Sequence, residues 1–341
     1  MATRDRLPGE VADALRRMGV LRSAEAPPAE RLTGGVASDI WRVDLPSGSV
    51  CVKRALARLR VAADWRAPAE RNLYEARWMR RAAAAAPGAA PALLGHDPET
   101  ETLAMAYLPP ATHPLWKPLL RDGVADPAFA AAVGRTLARI HAASAADPNT
   151  VTEFASDAIF HAIRLEPYLL ATAAVHPDLA GPLRDLAATT ARTKRALVHG
   201  DVSPKNILVG PRGPVFLDAE CAWWGDPAFD LAFCLNHLLL KCAWTPRARR
   251  GFLACFDALA RAYFAGAAWE APGGLEARAA RLLPGLLLAR VDGKSPVEYI
   301  TTEDQRNRVR RVGRALLAEP VDRLGAVRAA WDHALARGEG G

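Results

Sequence analysis

The sequence predicts an α+β protein, with a small β-rich amino-terminal part and a larger, mainly helical remainder. Three observations carry that reading. The first third sets short apolar runs between glycine and proline turns, as strands require. Most of the remaining chain repeats apolar residues at helical spacing in alanine-rich surroundings. Between residues 197 and 218, two further short strands flank a loop that concentrates Asp and Asn. With 341 residues, 50% of them hydrophobic, the chain is long enough to bury one large or two moderate cores.

The β-rich part begins with Leu32-Thr33-Gly34-Gly35-Val36-Ala37-Ser38-Asp39, then Ile40-Trp41-Arg42-Val43, a turn at Pro46-Ser47-Gly48, and a strand that ends on Lys53. Adjacent glycines allow close backbone approach to a phosphate, and successive N–H groups can cradle negative charge. On its own the glycine pair reads better as a hairpin turn, and no Gly-Lys-Ser/Thr comes after it to make it a Walker loop. Residues 68–79 read as a helix with Leu73, Ala76 and Met79 on one face and with Glu70 and Glu75 available. Residues 91–96 and 103–110 supply the last strands of this part.

The helical part opens with residues 129–143, where Val133, Leu137 and Ile140 define an apolar face and His141 reads as a core histidine. Pro127 and Pro148 are expected to bracket that helix from outside. Residues 230–241 are apolar nearly all round, which predicts a central buried helix. The segment Arg290-Val291-Asp292-Gly293-Lys294-Ser295-Pro296-Val297-Glu298-Tyr299 interrupts an apolar helix with turn signals, either as an acceptor-recognition loop or as an internally paired turn.

The chemistry lies in His199-Gly200-Asp201-Val202-Ser203-Pro204-Lys205-Asn206 and in Phe216-Leu217-Asp218. Asp201 and Asn206 stand at the two ends of one short loop. A turn at Gly210-Pro211-Arg212-Gly213 then returns a strand that delivers Asp218 beside Asn206. An ordinary polar turn accounts for any one of these residues. Together they are the set phosphoryl transfer needs: a carboxylate for the hydroxyl proton, and an amide oxygen and second carboxylate for the metal ions bridging the phosphates.

This segment resembles the catalytic loop of the aminoglycoside phosphotransferase and choline kinase group, the small-molecule branch of the protein-kinase-like fold, whose pattern is His-Gly-Asp, four residues, Asn. The resemblance covers most of the chain in the order of its parts. It implies a two-lobed kinase with an N-lobe over residues 1–108 and a C-lobe over residues 109–341. It implies an ATP- and Mg2+-dependent transfer, with Asp201 as catalytic base and Asn206 and Asp218 as metal ligands. Gly34, Gly35 and Ser38 would cover the nucleotide and Lys53 would bind its phosphates, paired with a helical glutamate, Glu75 in preference to Glu70. Backbone from Ala106 to Leu108 would meet the adenine edge, Met105 would line its pocket, and Asp230 would brace the catalytic loop.

The sequence departs from protein kinases in two places. Ala219-Glu220 comes directly after Asp218, and only a few residues separate it from Gly225-Asp226-Pro227, so an activation loop has no room. Ser203 occupies a position usually held by lysine in protein kinases, although Lys205 is near enough to reach a γ-phosphate.

The expected acceptor is a hydroxyl of a small metabolite. An aminoglycoside, as in antibiotic resistance, and a catalytically idle nucleotide-binding module are the alternatives. From residue 241 onward there are 17 Lys and Arg against 11 Asp and Glu, a balance that disfavours a polycationic acceptor. The net charge of +7 is scattered rather than gathered in a basic stripe, which argues against nucleic acid. Five dispersed cysteines suggest a reducing compartment, and residues 231–240 and 282–289 are too short to span a bilayer, so no membrane partner and a cytoplasmic location are expected.

Overall fold

The computed structural model describes residues 4–32, 38–56 and 70–336. Its six-stranded sheet comprises Arg4–Arg6 (β1), Pro28–Arg31 (β2), Ser38–Leu45 (β3), Gly48–Ala55 (β4), Leu93–Asp97 (β5) and Thr102–Ala106 (β6). The order is β1-β2-β3-β4-β6-β5, and neighbouring strands run antiparallel. Gly48, at φ 120°, closes the tight β3–β4 hairpin, a backbone position that glycine tolerates and side chains resist.

The two-residue period of β4 decides what each face of the sheet does. Val50 and Val52 join Trp41, Val43 and Ala104 against Val11 and Leu15 of helix Gly9–Arg17 (α1), forming a small core. Cys51 and Lys53 therefore project to the opposite face. There stands the helix Arg71–Ala85 (α2), whose buried residues include Asn72, Glu75, Ala76, Met79 and Ala82. Leu73 is only half-buried, contrary to the expected Leu73, Ala76 and Met79 face. Polar contacts turn the helix: Asn72 donates to the Glu101 carbonyl at 2.6 Å, and Glu75 meets Lys53. An apolar pattern does not register these groups.

The rest is mainly helical, giving the expected two-lobed α+β division. Helix Ala228–Trp244 is buried along almost its whole length. Helices Pro127–Ala145 and Arg249–Gly266 approach so closely that a Cβ on Gly134 would lie 2.3 Å from the Leu259 carbonyl oxygen. Pro127 is the first residue of its helix rather than a breaker outside it, because an N–H in the first turn has no intrahelical acceptor and its loss costs no helical hydrogen bond; Asp126 accepts from the next two amides, Ala128 and Phe129. Two ribbons complete the lobe: Ala196–Val198 (β7) with Trp223–Gly225 (β10), and Ile207–Gly210 (β8) with Gly213–Phe216 (β9).

Residues Asp157–Val175 form a continuous helical stretch of 19 residues, long and apolar enough by composition to cross a membrane. The apolar runs singled out in the sequence did not include it. It packs against helices Ala180–Arg192 and Pro272–Asp292, and its middle section, His161–Leu170, winds as a wider π-helix around Pro167.

Candidate active site

Strand β7 delivers His199 and Gly200 to the start of the loop. Gly200 has φ 82°, and a Cβ there would fall 2.9 Å from Cys221 Cβ, so both conformation and space call for glycine. The carboxylate of Asp230, fully buried in helix Ala228–Trp244, accepts the His199 N–H at 2.7 Å and the Gly200 N–H at 2.8 Å. His141 joins the Asp230 carboxylate at 3.2 Å and the Tyr263 hydroxyl at 2.8 Å, as a buried structural histidine. These bonds hold the backbone from which Asp201 projects.

Asn206 donates its amide N–H to the Asp201 carbonyl at 3.1 Å, closing the loop on itself. The Leu217 N–H then donates to the Asn206 carbonyl at 2.8 Å, which sets Asp218 alongside. Asp218 adopts φ 66°, an unusual left-handed conformation for a non-glycine residue and one that concentrates at functional sites.

Lys53 connects the two lobes. Its ammonium donates to Glu75 Oε2 at 2.6 Å and to the Asp218 carboxylate, with Glu220 Oε2 at 3.9 Å. Arg71, itself buried, donates to Glu220 at 2.9 Å. Burial alone would discharge Lys53, but the surrounding carboxylates of Asp218, Glu75 and Glu220 hold its pKa well above the ordinary lysine value. Burial pushes Glu75 up to about 7 against the attraction of Lys53. Asp218 moves downward: burial opposes ionisation, but Lys53 and Lys205 outweigh it. Glu70 stands exposed at the start of α2.

Asp201 also lies between two cations. Arg164 NH2 meets Asp201 Oδ2 at 2.9 Å while its Nε donates to the Gly200 carbonyl, and Lys205 Nζ approaches the same Oδ2 at 3.2 Å. Burial would raise the Asp201 pKa, but Lys205 and Arg164 hold it below the ordinary aspartate value. Sequence reasoning did not find Arg164. The available signal was a charged residue inside an apolar helical run, with Tyr168 one turn further on the same face.

A cleft of about 1080 Å³ joins these groups. Ser38, Lys53, Glu75, Met105, Ala106, Leu108, Asp201, Lys205, Asn206 and Asp218 all line it. Ser38 is buried, and its hydroxyl has no hydrogen-bond partner among the described residues. Gly34 and Gly35 lie outside the described residues. Toward the helical lobe the lining passes to Lys117, Arg164, Tyr168, Trp244, Ser295 and Glu298. The 290–299 segment is both an internally paired turn and a cleft wall: Arg290 donates to the Ser295 carbonyl at 2.5 Å, while Ser295 and Glu298 face the cleft.

Residues 28–269, most of the chain, match the sequence model of the phosphotransferase enzyme family. The chain belongs to that family. Among curated phosphotransferase relatives, methylthioribose kinase 1 of Oryza sativa subsp. japonica is 24% identical over 246 residues, covering 64% of this chain and 57% of the relative. Methylthioribose kinase of Pectobacterium carotovorum subsp. carotovorum is 27% identical over 257 residues, covering 67% and 64%. The match thus spans less than two thirds of each relative's own length. Among solved structures, the amicoumacin kinase hAmiN in complex with AMP-PNP, Ca2+ and Ami aligns at TM-score 0.55 and 13% identity, covering 93% of this chain and 98% of that one. At that identity the likeness concerns the phosphotransferase fold.

Proposed function

We propose that this member of the phosphotransferase family is an ATP-dependent O-phosphotransferase acting on a hydroxyl of a small molecule. Residues 1–108 serve as the nucleotide-holding lobe and residues 109–341 as the acceptor lobe. The observation that supports it is the convergence of Asp201, Asn206 and Asp218 on one cleft with the buried Lys53–Glu75 pair. Asp201, kept ionised by Arg164 and Lys205, orients the acceptor hydroxyl and takes its proton. Lys53, positioned by Glu75, binds the α- and β-phosphates, and Lys205, half exposed beside Asp201, meets the γ-phosphate. Ser38 faces the phosphates from the cleft wall, in the role the sequence resemblance gives it with Gly34 and Gly35. Ala106 spends its N–H on the Ala92 carbonyl at 2.8 Å, and the remaining backbone groups from Ala106 to Leu108, which line the cleft, meet the adenine edge.

The donor set fits Mg2+. Among the described residues no group of three or more His, Cys, Asp or Glu is arranged to hold a metal by itself. Mg2+ in phosphoryl-transfer sites needs only one or two carboxylates, and takes its other oxygens from phosphates and water. Asp218 would supply the carboxylate and Asn206 its amide oxygen, since its N–H is already given to Asp201. When bound, the metal neutralises charge developing on the phosphates.

Two measurements test the reading. ATP with Mg2+ should raise the melting temperature of the full chain and lose that effect in Asp218→Ala; an unchanged shift removes Asp218 from the metal site. With an accepted hydroxyl compound, Asp201→Asn should reduce turnover by about 10²-fold or more with little change in nucleotide affinity. Nucleotide binding without ATP consumption, with or without acceptors, would make the chain an idle module.

A further inference from the structure

At the acceptor end of the cleft, Lys117, Arg164 and Tyr168 line the wall, and Arg290, Lys241 and Tyr299 pack behind it. Tyr168 has the Arg164 guanidinium 5.9 Å from its ring centroid and that of Arg290 at 5.3 Å. Tyr299 has the Lys117 ammonium at 5.9 Å and that of Lys241 at 3.4 Å. On the helical side of Asp201, Glu298 is the carboxylate lining the cleft among the described residues, and Lys117 already binds it. Lys241 is buried, and burial with Lys117 and Arg290 pushes its pKa down to about 6 against Glu298, so near neutral pH its amine is mostly uncharged until an anion comes beside it. The field they create reaches His237, whose buried Nδ1 lies 3.3 Å from the Tyr299 hydroxyl. Burial, then Arg290, Lys241, Lys205 and Lys117, all hold the imidazole neutral, well below its ordinary pKa.

The same geometry disfavours a cationic acceptor in a second way. Trp244, which lines the cleft, stacks on Tyr299 with centroids 4.5 Å apart and planes 21° apart. Such a pair would suit an ammonium or quaternary ammonium group. The chain's own Lys241 fills it, lying 4.0 Å from the Trp244 ring. A polycation would meet like charge and an occupied aromatic cage. An anion would add counter-charge beside Arg290, which bonds Tyr168 and the Ser295 carbonyl and has no carboxylate within 4 Å among the described residues, and would favour the charged form of Lys241.

Resting on the phosphotransferase reading, we infer that the acceptor is a hydroxyl compound carrying a carboxylate or phosphate group, its charged end lying along the Lys117 and Tyr168 wall of the cleft in the field of Arg290 and Lys241 behind it. The hydroxyl presents itself to Asp201 at the other end.

The test is calorimetric titration of the full chain loaded with AMP-PNP and Mg2+, at constant ionic strength. The probes are ribose 5-phosphate and ribonate as anions, 5-methylthioribose as a neutral sugar, and kanamycin as a polycation. The anions should bind at least about tenfold more tightly than 5-methylthioribose, as expected for an added charge-assisted contact. Their ranking tells phosphate from carboxylate. Lys117→Met and Lys241→Met should each weaken the anions several-fold more than the neutral sugar; Lys117 is partly exposed, so its variant is informative even where the buried Lys241 variant folds poorly. Binding of 5-methylthioribose or kanamycin as tight as the anions, or no binding of either anion, overturns the assignment. Absence of AMP-PNP binding instead overturns the phosphotransferase reading on which it rests.

Discussion

Arg164 grips both the residue proposed as the base and the backbone before it: its guanidinium lies 2.9 Å from the Asp201 carboxylate and donates to the Gly200 carbonyl. Because Arg164 helps hold the Asp201 pKa down, Asp201 should contribute no acid limb to wild-type kcat/KM between pH 8 and about 5, where Glu75 is the group that titrates in the Lys53 cluster. In Arg164→Met burial and Asp218 are opposed mainly by Lys205, so the Asp201 acid limb should move upward while turnover falls by roughly tenfold or more. A pH-rate profile checks this. A uniform loss with no movement of the limb would make Arg164 merely structural.

Lys53→Met removes the cation between Glu75 and Asp218 and leaves a buried carboxylate unpaired. The expected cost is about 3 kcal/mol near neutral pH. Glu75 already sits above its ordinary pKa, at about 7, and would rise further. The folded state then binds more protons than the unfolded one above the ordinary glutamate range, so stability must fall as pH rises through the folded value. Melting temperatures at pH 5 and pH 8 should diverge more in the variant than in wild type.

Asp230→Ala orphans the buried N–H groups of His199 and Gly200. Each such donor costs about 1–3 kcal/mol. Chemical denaturation should register that loss, and Asp230→Asn, which keeps one acceptor oxygen, should lose less. Turnover per folded molecule should also drop, since the loop carrying Asp201 loses its support.

Gly134→Ala tests packing remote from the cleft. The added methyl would press on the Leu259 carbonyl and force helices Pro127–Ala145 and Arg249–Gly266 apart. A loss of about 1–3 kcal/mol is expected from overpacking. Denaturation should detect it, while nucleotide affinity of the folded fraction remains unchanged.

Groups joined by local backbone geometry were legible in the sequence. Asp201, Asn206 and Asp218 belong to one strand, loop and hairpin unit, so their spacing along the chain already states their proximity. Lys53 was legible from the lysine closing a strand ahead of an acidic helix and from the family resemblance; the two-residue period of β4 is what places it on the cleft face. The α+β division came from the change between strand-like and helix-like periodicity.

Other features required the three-dimensional structure. Glu75 rather than Glu70 meets Lys53 because the buried face of α2 is chosen partly by polar partners on strands and loops far away in sequence. Arg164 reaches Asp201 from a helix whose apolar pattern marks only what packs, not which charge it carries into the cleft. The charge count from residue 241 onward had a sign but no location, because Coulomb interactions depend on distance in space and on burial. By itself the sequence determined the fold class and the Asp- and Asn-bearing loop; the tertiary structure decided which distant charges surround that loop, because burial and distance in space are not written in the order of residues.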